Sequence, residues 1–118
     1  MLGNLFTYSF HIAKPMDADA YIFYTLPIAA QLIHVSAVGS NGNNGLMTVG
    51  NSSSAAAYLA SSSIGDSGTP VEFSQANFVG GQFPHIAKGT IVKVVLDHDG
   101  VGGVATADFT LVLTFLEG

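Results

Sequence analysis

The sequence predicts an all-β protein: a single antiparallel β-sandwich over residues 1–118 and, within that class, an eight-stranded jelly roll. Eight short apolar or alternating runs are each bounded by Gly, Pro, Asn, Asp or Ser. No run holds the helical period over a convincing length, and no linker divides the chain. An immunoglobulin-like sandwich is the alternative, although the Cys and Trp that mark antibody domains are both absent.

Phe6, Tyr8, Phe10 and Ile12 alternate with Thr7, Ser9 and His11, the period of two that lines one strand face with apolar side chains. Lys14-Pro15 ends this run, because proline has no ladder donor and restricts the residue before it. Ala20 to Thr25 is apolar on both faces and stops before Pro27, so it is expected inside the sandwich or at an interface. Leu32 to Val38 is the third strand, and Gly39 to Gly45 after it is a turn-rich loop.

Leu46 to Gly50 and Ala55 to Ala60 flank the polar turn Asn51 to Ser54 and read as strands; alanine's helix propensity makes a short helix the alternative for the second. Ser61 to Gly68 is a small-residue loop and Pro70 to Phe73 a short strand. Ser74 to Pro84, with Gly80-Gly81 and no sustained period, reads as a long surface loop able to contact partners, as does Gly39 to Gly45. Thr90 to Leu96 is the most β-branched run, and Phe109 to Leu116 alternates Phe109, Leu111, Leu113 and Phe115 with Thr110, Val112 and Thr114. Turn residues from Asp97 to Gly103 separate the two.

From these phases the expected core is Phe6, Phe10, Ile33, Val35, Ile91, Val95, Phe109, Leu111, Leu113 and Phe115. In a jelly roll the first strand pairs with the last, which puts Leu5 to Ala13 beside the final strand. Removing Met1 to Gly3 is then expected to be tolerated and removing Thr114 to Gly118 is not.

Charged residues make up 9% of the chain, against about 25% in ordinary soluble domains. A small surface so poor in charge is expected to expose an apolar patch that meets a partner. Three Lys plus Arg against eight Asp plus Glu give a formal charge of −5 with no basic run, which disfavours nucleic acid. Met1 to Asn4 carries no signal-peptide pattern, and no apolar segment approaches a membrane span. The absence of Cys removes disulfides and thiolate metal sites and suits a product made in a reducing compartment.

The string Gly65-Asp66-Ser67-Gly68 resembles the nucleophile segment of trypsin-like proteases, yet a serine needs a histidine held by a carboxylate to take its proton. Candidates in the required order are His11 with Asp17 or Asp19, all placed before the second strand is complete, so a loop entering a strand is the better reading. Asp97-His98-Asp99-Gly100 resembles part of a calcium loop, with a turn between strands as the competing account and a weak Ca²⁺ site near Asp97 and Asp99 left open. No His pair has zinc-ligand spacing, and His34 on its strand reads as a packed or hydrogen-bonded residue. Gly100-Val101-Gly102 and Gly42-Asn43-Asn44-Gly45 lack the context of nucleotide motifs and read as turns. The expectation is no catalytic residue, no cofactor and no metal, and hence no enzyme.

The segments IGDSGTPVEF (Ile64 to Phe73), PHIAKGTIV (Pro84 to Val92), LDHDG (Leu96 to Gly100) and ADFTLVLTFLEG (Ala107 to Gly118) resemble blocks found in small tailed-bacteriophage virion proteins. The resemblance covers the second half of the chain well and the first half more loosely, through its AVGS and VGN segments. It implies a capsid decoration or cement protein with a jelly-roll fold, whose partner is the major capsid protein, in a virion assembled in the host cytoplasm. Self-association as a homotrimer or another small cyclic oligomer goes with that role. No nucleic acid or membrane partner is expected. The alternative from another class is an accessory module on a head fibre or tail that binds a host surface or carbohydrate, with Tyr21, Tyr24, Tyr58, Phe78 and Phe83 as the available aromatics.

Overall fold

The computed structural model describes residues 3–118, and its regular structure begins where the alternation does. Met1 and Leu2, part of the opening segment considered above, lie outside the described residues. The strands are β1 (Leu5–Pro15), β2 (Ala20–Thr25), β3 (Ala30–Val38), β4 (Leu46–Asn51), β5 (Leu59–Ser63), β6 (Val71–Phe73), β7 (His85–Ile86), β8 (Ile91–Asp97) and β9 (Ala107–Glu117). Short 3-10 turns occupy Gln75–Asn77 and Val79–Gly81. Among the described residues no helix is long and apolar enough to cross a membrane.

One sheet has the order β1-β9-β3-β6, with β7 also on β3, and the other has the order β2-β8-β4-β5. Every ladder between these strands is antiparallel. The pairings are nested along the chain: β4 with β5, β3 with β6 and β7, β2 with β8, and β1 with β9. The chain therefore forms one long antiparallel ribbon, doubled back after β4 and rolled so that β9 also meets β3 and β8 also meets β4. The expected pairing of the first and last strands is present, with Phe6 opposite Phe115 and Phe10 opposite Leu111.

Alternation places the core between the sheets. Phe109, Leu111, Leu113 and Phe115 of β9 are wholly buried, facing Val92, Val94 and Leu96 of β8 and Met47 and Val49 of β4. Phe6, Tyr8, Phe10 and Ile12 of β1 are half-buried against this cluster, because β1 is an edge strand and has a neighbour on one side only.

Several expectations are corrected. Ile91 is 39% exposed and Val95 half-buried, so β8 presents the opposite phase to the core from the one expected. Lys93 shares the phase of Ile91 and Val95, and its charge keeps that face outward. Ile33 is half-buried because the β3–β9 register shifts between Leu32 and His34, leaving Ala30, Leu32, Val35 and Ala37 to face inward. The segment Ala55 to Ala60 is mostly turn, and the strand begins only at Leu59. Gly50 explains this: a Cβ there would collide with the Ser54 carbonyl oxygen, so its hydrogen lets the turn cross the outer face of β4. The Ser74 to Pro84 loop is anchored by buried Phe78, and β7 after it adds a short ninth strand on the edge of β3 that β6 also uses. Gly39 to Gly45 is likewise not free. Asn41 donates to Ala105 O at 2.8 Å and accepts from Ala107 N–H at 3.0 Å, and Asn44 accepts from Val104 N–H at 2.7 Å.

Candidate functional site

β1 and β2 are edge strands of the two sheets, and they lie on the same side of the sandwich. Tyr8 and Tyr24 fix this, their rings stacked at 4.3 Å between centroids. Beyond them the flank is open: β1 offers unpaired backbone groups along one side, with Thr7, Ser9 and His11 exposed.

The outer face of β2 is the apolar part of this flank. Tyr21 is 60% exposed and Phe23 57% exposed, while Ile22 between them is buried. Phe23 pairs with Lys93 across the ladder and Tyr21 with Val95. The Lys93 ammonium lies 5.8 Å from each of the two ring centroids. At an exposed site such a cation–π contact is worth about 0.5–1 kcal/mol, enough to hold the lysine along the band. Ile91 extends the band on β8, and the 51–58 turn crossing Gly50 closes it on the β4 side. A contiguous apolar band beside an open strand edge is the pattern of a surface that meets another protein. Fully burying each large side chain contributes about 1.5–3 kcal/mol, so the two aromatics are its natural anchors.

The far end of β1 is shaped by a bulge. Lys14 and Asp108 both have positive φ, 72° and 49°, where the β1–β9 register shifts between Ile12 and Pro15. Lys14 N–H donates to Asp108 Oδ1 at 2.8 Å and the Ser40 hydroxyl to Oδ2 at 2.7 Å. These bonds, the Ser40 hydroxyl first, hold the Asp108 carboxyl below the usual range.

The residues singled out by sequence fall in separate places. Ser67 is the tip of a tight turn: Thr69 N–H donates to Asp66 O at 2.9 Å, and Ser67 and Gly68 have φ of 52° and 78°. Its proposed partners are elsewhere. His11 contacts Thr110 Oγ1 at 2.8 Å, and Asp19 holds His98. His34 Nε2 lies 3.0 Å from Glu72 Oε1, the hydrogen-bonded reading expected of it. Asp97 accepts from Asp99 N–H at 3.0 Å as a turn does, and the acidic partner that matters is Asp19. Asp19 Oδ1 accepts from His98 N–H at 3.1 Å and lies 2.7 Å from Nδ1, which lowers the Asp19 pKa chiefly through the imidazole contact. Asp19, Asp97 and His98 bring their ligand-type atoms within 4.8 Å of one another, a grouping different from the Asp97 and Asp99 pair at which the sequence left a weak site open. Of the aromatics, Phe78 is buried, Tyr24 is stacked on Tyr8, and Tyr58 and Phe83 line a cavity of about 320 Å³.

No protein-family model and no curated protein matches the chain. Among solved structures, the fold is similar to that of a chain of the cyanophage Pam1 capsid asymmetric unit, with 18% sequence identity and a TM-score of 0.59. The similarity covers 99% of this chain and 87% of that one, and at this identity it is a likeness of fold.

Proposed function

We propose that the chain is a phage structural protein, a capsid decoration or cement protein that binds the head lattice and stabilises it. The observation that carries this reading is the likeness of fold to a chain of a cyanophage capsid asymmetric unit along nearly the whole sequence. The open flank supports it: a protein that assembles with its own copies on a lattice needs a surface that gains by burial, and Tyr21 and Phe23 supply one next to an unpaired edge. We read the sandwich as a jelly roll, on the support of its nested antiparallel pairing and the alternation of β1 to β4 between the sheets. The role needs no catalysis, and a turn-tip Ser67 away from the paired histidines suits a non-enzymatic protein.

The proposed partner is the major capsid protein, with self-association into a homotrimer or another small cyclic oligomer, in the virion. The test is cryo-electron microscopy of particles from a phage encoding the chain, with and without its gene. The expected result is lattice-repeated density on the head that vanishes in the deletion, together with release of DNA at a lower temperature. Density confined to the tail, absence from purified particles, or unchanged heat resistance would overturn the reading.

A further inference from the structure

Outside the open flank, the cavity of about 320 Å³ is built by the 51–58 turn and the loop that precedes β7. Tyr58, Val79, Phe83 and Pro84 supply its apolar wall, and Gln82 and His85 its polar groups. No Asp, Glu, Lys or Arg lines it. The walls are held from behind. Val79 N–H donates to Tyr58 O at 2.9 Å, Leu32 N–H to Pro84 O at 3.0 Å, and His85 sits in the β3 ladder opposite Gln31. Phe83 leans on buried Phe78 at 6.4 Å between centroids. Gly80 and Gly81, with φ of 77° and 67°, make the bend that carries the chain from Val79 to Gln82. The backbone of the walls is thus fixed before any ligand arrives, which limits the ordering cost to the exposed side chains.

We propose that this cavity binds a neutral pyranose unit of a carbohydrate. Three properties select that class. The volume lies at the lower end of small-molecule sites, about 300–1,000 Å³, and suits one or two sugar rings. Aromatic faces carry partial negative charge and attract the partly positive C–H edges of a sugar ring, which explains pairing Tyr58 and Phe83 with polar side chains. The polar side chains, Gln82, His85 and the Tyr58 hydroxyl, offer donors and acceptors of the kind that bind hydroxyls. The Tyr58 oxygen accepts from Asn51 Nδ2 at 3.3 Å, which leaves its O–H to donate, while the exposed Gln82 amide does both. A phosphate or carboxylate would meet no Lys or Arg here and a chain of net charge −5. The site is independent of the flank formed by β1 and β2, so the capsid reading can fail while this one stands.

The test is an amide NMR titration of the free protein with glucose, galactose, mannose, rhamnose and N-acetylglucosamine, each carried to tens of millimolar. The expected result is a saturable shift, for at least one sugar, confined to amides of residues 57–58 and 79–85. Gln82→Ala and His85→Ala, both at exposed positions, should each weaken it about tenfold with an unchanged unfolding curve. Galacturonate should bind more weakly than galactose. No saturable shift from any sugar, shifts elsewhere on the protein, or affinities unmoved by both substitutions would overturn the proposal.

Discussion

Tyr8 of β1 and Tyr24 of β2 stack with their centroids 4.3 Å apart and their planes 22° from parallel, joining the edge strands of the two sheets. Tyr24 also meets Phe115 at 6.0 Å, and Phe6 stacks on Phe115 at 5.1 Å, so the sandwich is closed on this side by a run of rings. Without it, water would reach the buried phase of β9. A double-mutant cycle with Tyr8→Ala and Tyr24→Ala should show a coupling of about 0.5–1.5 kcal/mol in urea unfolding. Strictly additive losses would mean that each ring packs independently and the edges are closed by something else.

The phase of β8 separates two substitutions of similar size. Leu96 is wholly buried and Ile91 is 39% exposed. Leu96→Ala should cost about 2–5 kcal/mol and Ile91→Ala less than about 1 kcal/mol in chemical denaturation. Equal losses at the two positions would place both phases in a core.

What could be read from sequence was set by how one-sided each run is. β9 and β1 alternate cleanly, and their inward faces follow from that alone, whereas the expectation that they pair comes from the jelly-roll order. In β8 both phases are apolar apart from Lys93 and Asp97, and those two charges, on one phase, mark the outward face. No local signal marks the β3 bulge, since Ile33 differs from its neighbours only through its register against β9. The aromatics of β2 were legible as apolar on both faces, yet which face stays open depends on β2 being an edge strand, a property of the whole topology. Asp19 as the partner of His98 was hidden for a similar reason, the two being joined by the β2–β8 pairing and far apart in sequence. The cavity needs Tyr58 and the 79–85 loop brought together, and only the Val79 to Tyr58 backbone bond reveals that.

Acid stability follows from two carboxylates. The folded pKa of Asp19 is lowered from 3.8 chiefly by the His98 side chain, and that of Asp108 from 3.8 chiefly by the Ser40 hydroxyl. A group whose folded pKa lies below its unfolded one binds more protons when unfolded, so it stabilises the fold above the unfolded value. That stability is lost as pH falls from 3.8 through the lowered values. Asp19→Asn and Asp108→Asn should therefore each flatten the fall of the melting temperature on acidification below pH 4. Because the Asp19 side chain is 40% exposed, its contribution should also shrink in about 1 M salt. A melting profile with the wild-type slope in both variants would show that neither carboxylate is linked to folding.

Self-association should depend on the outer face of β2. Phe23→Asp places a carboxylate in the exposed aromatic band without touching the buried phase of the strand. Sedimentation of the parent protein should give a multiple of 12.2 kDa, and the variant should move toward the monomer with an unchanged circular-dichroism melt. A parent that stays monomeric at high concentration, or a variant that assembles equally well, would remove this face from the oligomer contact.

The last prediction concerns the end of β9, which is paired on both sides. Thr114 faces Thr7 and His34, Phe115 faces Phe6 and Leu32, and Leu116 faces Leu5 and Gln31. Gly118 N–H donates to Ala29 O at 3.1 Å, Glu117 N–H to Asn4 O at 2.9 Å, and Gly3 N–H to Glu117 O at 3.2 Å. Deleting Thr114 to Gly118 thus strips ladder partners from two strands at once and removes the ring on which Phe6 and Tyr24 rest. Two unpaired edges would then face solvent, the arrangement that invites aggregation. The truncated chain should be insoluble or lose its cooperative unfolding transition. Phe115→Ala separates packing from pairing, because the backbone ladder survives while a wholly buried ring is lost. That variant should fold with a loss of about 3–5 kcal/mol. A truncated protein that remains soluble with an unchanged melting curve would show that the double pairing of β9 adds nothing to stability beyond its first seven residues, Ala107 to Leu113.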